Sequence, residues 1–293
     1  MRHLAIALML ALLSSASRAE PAAPALAEVG NAEVRGIFDG KPIRLRGGRY
    51  QGKPFAQGGA SRPSAQLLDA PAAAGNLDGQ PGEERVALIS ESSGGSGEHL
   101  YLAVFAGPGG KPKNIGTLLV GDRVKLRGLA VEGSTIYLDV VQAGPQDPSC
   151  CPTQLARLSY ALEQGVLTRQ QEEVQGTLSL KELDGVEWTA AEIDGQPLPA
   201  GGKRPTLQFK DGRIAGFGGC NRYMGQVSES APGQITVGRL AGTLMACPPQ
   251  AGDLERRFQA SLGKATQYSF FKGGLLLSGM EGDKPRSVWL ARP

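Results

Sequence analysis

The sequence predicts a mainly β, β-rich α+β protein made of two antiparallel β domains, the second a barrel-like sheet with one packed helix. Apolar residues occur in short runs rather than in long helical repeats. The 42 glycines and 20 prolines among 293 residues are about a fifth of the chain, well above the average of about an eighth. One segment near the C-terminus has a clear helical period. These observations predict many short strands joined by turns and exclude a long helical bundle.

Residues 1–19 are predicted to be a secretory signal peptide. Arg2 and His3 form a short positive segment, Leu4–Leu13 is continuously apolar, and Ser17-Arg18-Ala19 places small residues at the cleavage positions. The apolar run is too short to remain as a membrane-spanning helix. We therefore expect a periplasmic or secreted protein without stable membrane insertion after cleavage. Residues 20–28, rich in Pro and Ala, are expected to be a flexible leader.

The first β domain is predicted over residues 29–166. A Gly- and Ser-rich stretch between two apolar runs predicts a hairpin loop there. Residues 61–74 are the one candidate helix of this domain. Residues 167–177 are predicted to be a polar linker, with room for a last strand of the first domain. The predicted strands are Arg85–Glu91, Leu100–Phe105, Gly116–Val120, Arg123–Leu129, Thr135–Val141 and Leu155–Leu162.

The second domain is predicted over residues 178–293. Its helix is expected at Gly252–Leu262, where Leu254, Phe258 and Leu262 fall on one face and Gly263 marks the end. Asp-Gly, Pro-Gly and Gly-Gly turns separate the strands. The predicted strands are Glu187–Ile193, Thr206–Lys210, Arg213–Phe217, Gln234–Gly238, Tyr268–Lys272, Leu275–Ser278 and Ser287–Ala291.

The four cysteines are expected to form disulfides, because an even number in an exported protein favours bridges over free thiols or metal ligands. Four cysteines allow three pairings. The favoured one keeps each bridge within a domain: Cys220 with Cys247, and Cys150 with Cys151 either bridged to each other or reduced. Zinc is disfavoured because no C-x-x-C occurs and His99 is the sole histidine after the signal peptide.

One ordered set of motifs in the second domain is specific. Trp188 follows the run L-D-G at 183–185, residues 216–223 read G-F-G-G-C-N-R-Y, and residues 240–247 read L-A-G-T-L-M-A-C, ahead of the predicted helix. This order resembles the META/HslJ family over about residues 178–293. Leu244 departs from the pattern, since the family usually has a basic residue there. The resemblance implies a compact antiparallel β domain, exported in bacteria, with no known catalytic reaction. The motif residues are Trp188, Gly218, Gly219, Asn221, Arg222, Thr243 and Met245.

The glycine-rich run is interpreted as a structural corner closed by Cys220 and Cys247, with a ligand-facing surface as the alternative. Glycines permit a sharp bend, and Asn221 can bond backbone groups of the following turn. Arg222 offers a donor for a carboxylate or for carbonyls. A phosphate loop is disfavoured because neither a helix start nor a lysine follows. A nucleophilic Cys220 would lack a histidine in its domain.

A loop in the first domain is similar to a region found ahead of META domains in secreted bacterial proteins. In such regions an acidic, calcium-binding type of loop is expected. Here the loop offers Asn76, Asp78, Gln80 and Glu84. Because amides replace acidic ligands, a polar turn without metal is predicted, with calcium as the alternative. The closeness of Ser96 to His99 in sequence is interpreted as chance.

The functional prediction rests on the resemblance and on features that the sequence does not have. The 31 basic and 28 acidic residues nearly balance, and no basic run alternates with aromatics, so nucleic-acid binding is excluded. We predict a non-enzymatic exported protein, a binding or envelope-maintenance and stress-related module, without cofactors. Its partner would be an envelope protein or a small apolar ligand.

Two alternatives remain open. One is a carrier that holds a small apolar ligand inside a barrel-like cavity. The other is a thiol-dependent enzyme that uses Cys150 or Cys151, which requires a free thiol.

Overall fold

The computed structural model describes residues 21–38, 41–69, 71–95, 97–107, 111–199 and 201–293. The predicted signal peptide and Ser96 lie outside these residues. Within them the chain is mostly β, as predicted. None of the helices in these ranges is long and apolar enough to cross a membrane.

The N-terminal half forms two larger sheets and a hairpin. One sheet has the order β3-β4-β6-β7-β8, with β5 on β6; the other is β12-β11-β10-β9, and β1 pairs with β2. These elements are α1 (Leu26–Val29), β1 (Glu33–Phe38), β2 (Lys41–Arg44), β3 (Arg49–Gln51), β4 (Ser64–Leu67), β5 (Ala73–Gly75), β6 (Glu84–Ser92), β7 (His99–Ala106), β8 (Lys113–Asp122), β9 (Lys125–Glu132), β10 (Thr135–Gln142), β11 (Gln154–Glu163) and β12 (Val166–Thr177).

Both faces of strands β6 and β7 are buried, which explains their nearly continuous apolar sequence. Leu88 and Leu102 face one core, shared with the sheet of β9–β12. Ile89 and Phe105 face a second core, shared with α1 and the β1–β2 hairpin.

Three segments of the N-terminal half differ from the sequence prediction. The candidate helix at 61–74 is wrong: β4 and the start of β5 occupy it, because Ala65 and Leu67 alternate into the core beside β6. Residues 167–177, predicted as a polar linker with room for a last strand of the first domain, form most of strand β12, which pairs with β11 from Val166 to Thr177. The proposed leader, residues 20–28, is hydrogen-bonded from Pro21 onward, whose carbonyl accepts the N–H of Glu83 at 3.0 Å.

The C-terminal half forms a closed antiparallel barrel. Its order is β13-β15-β16-β17-β18-β20-β21-β22, and β22 pairs back with β13. A short 3-10 helix (Leu180–Leu183) leads into it. The other elements are β13 (Glu187–Ile193), β14 (Gln196–Pro197), β15 (Thr206–Lys210), β16 (Arg213–Phe217), β17 (Arg222–Ala231), β18 (Gln234–Val237), β19 (Ala241–Gly242), α2 (Pro249–Leu262), β20 (Ala265–Phe271), β21 (Gly274–Glu281) and β22 (Lys284–Ala291).

Large side chains occupy the inside of this barrel. Trp188 is buried, and its ring lies 6.3 Å from that of Phe270. Helix α2 adds Phe258 and Leu262 to the same cluster, with Leu254 packed against it, so its predicted apolar face is confirmed. Since these side chains take up the interior, a carrier would need its cavity elsewhere.

The two halves are in direct contact along β9 and β20. The Leu126 carbonyl accepts the N–H of Gly273 at 3.2 Å. The Arg127 guanidinium lies 5.3 Å from the Phe270 ring centroid and also pairs with Glu182 at 3.3 Å. The N-terminal half therefore packs directly against the barrel on this side.

Candidate functional site

The predicted disulfide between Cys220 and Cys247 is confirmed. It joins the bend that follows β16 to the segment just before α2. Disulfide, bend and helix start thus form one rigid corner at the surface of the barrel.

Asn221 ties the parts of this corner together. Its side chain is 5% exposed. The Oδ1 atom accepts hydrogen bonds from Thr243 Oγ1 and from the N–H of Met245, both at 2.8 Å. The Nδ2 atom donates to Glu255 Oε1 at 3.1 Å and lies 3.2 Å from Cys247 Sγ. The sequence predicted bonds within the following turn, whereas the partners are 22 to 34 residues away.

Glu255 is the residue of this site that sequence reasoning missed. Its Oε2 accepts the N–H groups of Cys220 at 3.2 Å and Asn221 at 2.5 Å. One signal pointed to it: Glu255 lies three residues before Phe258, on the helix face that packs against the barrel. A carboxylate on a buried face is expected to have polar partners.

The glycines of the motif make room for that carboxylate. A Cβ on Gly218 would lie 2.9 Å from the side chain of Glu255. Gly219 has a φ of +126° and lies against the first turns of α2. The predicted bend is therefore present. Glycine is required both by the bend itself and by its close approach to the helix.

An open groove of about 810 Å³ lies over this corner. Basic side chains stand at Lys203 and Arg222, and neither has an ion-pair partner within the described ranges. The remaining lining includes Phe217, Cys220 and Met245. This surface, called the corner groove below, combines two unpaired cations with apolar side chains.

Apolar side chains also project from the protein around the corner groove. Met245 is 60% exposed, and its neighbour Leu244 is 98% exposed. On the adjacent strand β17, Met224 is 63% exposed. Thr243, by contrast, is held to Arg222 by two hydrogen bonds: its N–H donates to the Arg222 carbonyl at 3.0 Å, and its Oγ1 accepts the N–H of Arg222 at 3.2 Å.

The calcium-like loop uses its polar groups on its own backbone. Asn76 Oδ1 accepts the N–H of Gly79 at 2.9 Å, and Asp78 Oδ1 accepts that of Gln80 at 2.8 Å. Glu84 is buried and accepts the N–H of Leu77 at 2.7 Å. In the part of the chain that the structure describes, no group of three acidic, His or Cys side chains is arranged to hold a metal.

His99 has a carboxylate partner that the sequence did not reveal. Its Nδ1 lies 2.6 Å from Oε2 of the buried Glu91, whose Oε1 accepts a hydrogen bond from Ser93 Oγ at 2.5 Å. The serine hydroxyl is bonded to the carboxylate and not to the imidazole, so the order of a nucleophilic triad is not present.

Burial and the nearby Glu91 raise the pKa of Tyr101.

Cys150 and Cys151 are bonded to each other, so all four cysteines, which lie in the described ranges, are in disulfides. Asp147 holds the surrounding loop by accepting the N–H groups of Gly144 at 2.7 Å and Thr153 at 2.6 Å. Partial burial alone would raise the pKa of Asp147, but these hydrogen bonds outweigh it and lower the pKa. The loop is therefore fixed with its carboxylate ionised.

Comparison with known proteins supports the resemblance inferred from the motifs. Residues 181–288 match the family model described as META domain. An NMR structure of a protein from Burkholderia xenovorans matches at 24% identity and a TM-score of 0.32, covering 39% of this chain and 85% of that one. A second NMR structure matches at 23% identity and a TM-score of 0.32, with coverages of 39% and 94%. Among curated proteins, no match to this chain was found.

Proposed function

We propose that this protein, which carries a META domain, is a non-enzymatic exported binding protein whose site is the corner groove. Its occupant is an acidic segment of another exported protein that carries apolar residues in extended conformation. The observation that carries this proposal is the pair of unpaired cations, Lys203 and Arg222, beside exposed apolar side chains on a braced corner.

The positive charge of the corner groove selects a negatively charged partner. Two cations that form no ion pair among the described residues attract an anionic surface and oppose a basic one. Exposed methionines suit a polypeptide partner, because flexible thioether side chains repack around different apolar groups. Met245, which lines the groove, and Met224, two residues after Arg222 on β17, supply exposed side chains of this kind.

The backbone beside the groove favours an extended occupant. Strand β19 pairs with β17 in the described structure and with no other strand there. Its outer edge can accept a further strand by backbone hydrogen bonds, a recurring mode of peptide recognition. A concave groove next to such an edge fits a chain better than a flat bilayer.

Export is the part of this proposal that rests on the sequence. The predicted signal peptide supports it, and the paired cysteines agree with an oxidising compartment. A binding role in the envelope needs no catalytic group, which agrees with the arrangement around His99 and Cys150.

The test is fluorescence anisotropy on the purified full-length protein with two labelled decapeptides, one alternating Glu and Leu and one alternating Lys and Leu. We expect the acidic peptide to bind at least tenfold tighter. K203E/R222E should lose at least tenfold in affinity for it. The control K210E/R213E makes the same charge change at the far hairpin of β15 and β16 and should bind like the wild type.

Equal affinity for the two peptides, or wild-type affinity in K203E/R222E, would contradict the proposal. So would sedimentation with phosphatidylglycerol vesicles that depends on Lys203 and Arg222 while the acidic peptide fails to bind. That result would assign the corner groove to a membrane surface.

A further inference from the structure

A second cavity lies where the two halves of the chain meet, away from the corner groove. Its volume is about 200 Å³. The N-terminal half contributes Cys150, Cys151 and Pro152, and the barrel contributes Gln234, Gln267 and Ser278. We call this space the junction pocket. We propose that it binds the ring of a neutral pyranose sugar.

The disulfide between Cys150 and Cys151 supplies one wall of the junction pocket. A bridge between adjacent residues closes a small ring, which presents two polarisable sulfur atoms and little hydrogen-bonding capacity. Pro152 extends this apolar wall. The C–H groups on the face of a pyranose ring pack favourably on such an apolar wall, because they cannot form hydrogen bonds with polar groups.

The wall is held in place from behind. Asp147 bonds both ends of the loop at Gly144 and Thr153. The fixed position means that a ligand would find the wall already formed, without loss of loop entropy on binding.

The opposite wall offers neutral donors and acceptors. Gln234 and Gln267 are directly opposite each other where β18 meets β20. Both side chains are exposed, and neither amide has a hydrogen-bond partner among the described residues. Each amide carries donors and an acceptor, which matches vicinal hydroxyl groups. Ser278 adds a hydroxyl to this wall.

Charge and size narrow the ligand class. Lys125 is the one ionisable side chain other than Tyr268 among the lining residues, and its Nζ lies 4.0 Å from Glu98. A lining that is otherwise neutral disfavours a strongly charged ligand. The volume is below the roughly 300–1,000 Å³ of pockets for drug-sized ligands, so it admits one ring rather than a chain of rings.

The experiment is saturation-transfer NMR with titration on the full-length protein. The probes are methyl β-D-glucopyranoside, methyl β-D-galactopyranoside and N-acetylglucosamine, and the negative control is the acyclic polyol glucitol. We expect transfer to the ring C–H groups of at least one sugar and none to glucitol. Q234A/Q267A and C150S/C151S should each weaken that binding at least tenfold.

A matched control separates the pocket from general surface effects. Q208A/Q226A removes two exposed glutamines from other strands of the barrel and should bind sugar like the wild type. If C150S/C151S fails to fold, Q234A/Q267A still tests the proposal, since both glutamines point outward. No transfer to any of the three sugars, or unchanged affinity in either folded variant, would overturn it. These variants leave Lys203 and Arg222 intact, so the outcome is independent of the corner groove.

Discussion

Glu255 of helix α2 binds both the backbone and the side chain of Asn221, which lies 34 residues earlier in the chain. Its two carboxylate oxygens accept from the N–H and from Nδ2 of the asparagine. The glycine bend is thereby fixed to the helix by polar contacts as well as by the disulfide. The same carboxylate also accepts the N–H of Cys220, which lines the corner groove.

Glu255→Ala should lower the free energy of unfolding by about 3 kcal/mol. The substitution leaves the N–H groups of the partly buried Cys220 and the buried Asn221 without their acceptor. An unsatisfied buried donor costs about 1–3 kcal/mol. Urea unfolding followed by circular dichroism measures the loss. Asp253→Ala is the control: it also removes one carboxylate from α2, but from an exposed pair with Arg256, and should cost less than about 1 kcal/mol. Equal losses in the two variants would mean that Glu255 does not brace the corner.

Gly216→Ala should destabilise the barrel at the start of the motif. A Cβ at this position would lie 2.0 Å from the carbonyl oxygen of Thr206 and 3.0 Å from the hydroxyl of Tyr223. The strands must move apart, and such overpacking costs about 1–3 kcal/mol or more. The midpoint of urea unfolding measures it.

The matched control for this substitution is Gly95→Ala, whose added Cβ meets nothing within 4 Å. It should change stability by no more than about 0.5 kcal/mol. A Gly216→Ala protein as stable as this control would contradict the close approach of β16 to Thr206.

Strands and the helix with regular burial could be predicted from the sequence. The apolar runs of β6 and β7 and the period of α2 report directly on the faces that they bury. Strand β17 was missed because Tyr223 and Val227 are its only buried apolar residues, and its other apolar residues, Met224 and Ala231, do not alternate with them into the core. Strand β12 was taken for a linker because, apart from Leu167, almost all of it is exposed at the edge of a sheet.

Only part of the candidate site could be predicted from the sequence, for a related reason. Residue types at the corner identified Asn221 and the disulfide, but hydrogen-bond partners distant in sequence leave no local pattern. Glu255 acts on residues 35 and 34 positions earlier, which the fold alone brings near. The corner groove also depends on the fold placing Lys203 and Arg222 in one lining. The periodicity of the sequence does not encode that placement.

The two disulfides should differ in what they contribute to stability. Bridging Cys220 and Cys247 closes a loop with a sequence separation of 27, which restricts the unfolded chain and stabilises the fold by roughly 3 kcal/mol in the chain-entropy model. Cys150 and Cys151 are adjacent, so their bridge restricts almost none of the unfolded chain.

C220S/C247S should therefore lower the free energy of unfolding by about 3 kcal/mol. C150S/C151S should lower it by less than about 1 kcal/mol by the same reasoning. Urea unfolding without reductant measures both, and thiol titration of the denatured wild type should find none free. A larger loss in C150S/C151S would contradict this ranking.

Asp194 should make the stability of the barrel depend on acid. Its Oδ1 accepts from Ser261 Oγ at the end of α2 and from the N–H of Ser287, both at 3.0 Å, and its Oδ2 pairs with Arg286 at 2.6 Å. Burial alone would raise the pKa of Asp194, but the bonds from Ser287, Arg286 and Ser261 outweigh it and lower the pKa. A carboxyl whose pKa is lower in the folded than in the unfolded state contributes stability above its unfolded value of about 4. That contribution is lost as the pH falls through the folded value.

The free energy of unfolding of the wild type should thus fall as the pH is lowered from 7 to below about 4. Asp194→Asn should be less stable than the wild type at pH 7, because the amide loses the pair with Arg286, and its stability should change less over the same range. Asp211→Asn removes a carboxylate from an exposed turn of the same barrel and should keep the wild-type pH dependence. Urea unfolding at pH 7, 5 and 3 compares the three proteins. Parallel pH profiles for the wild type and Asp194→Asn would show that this carboxylate does not link the end of the helix to strand β22.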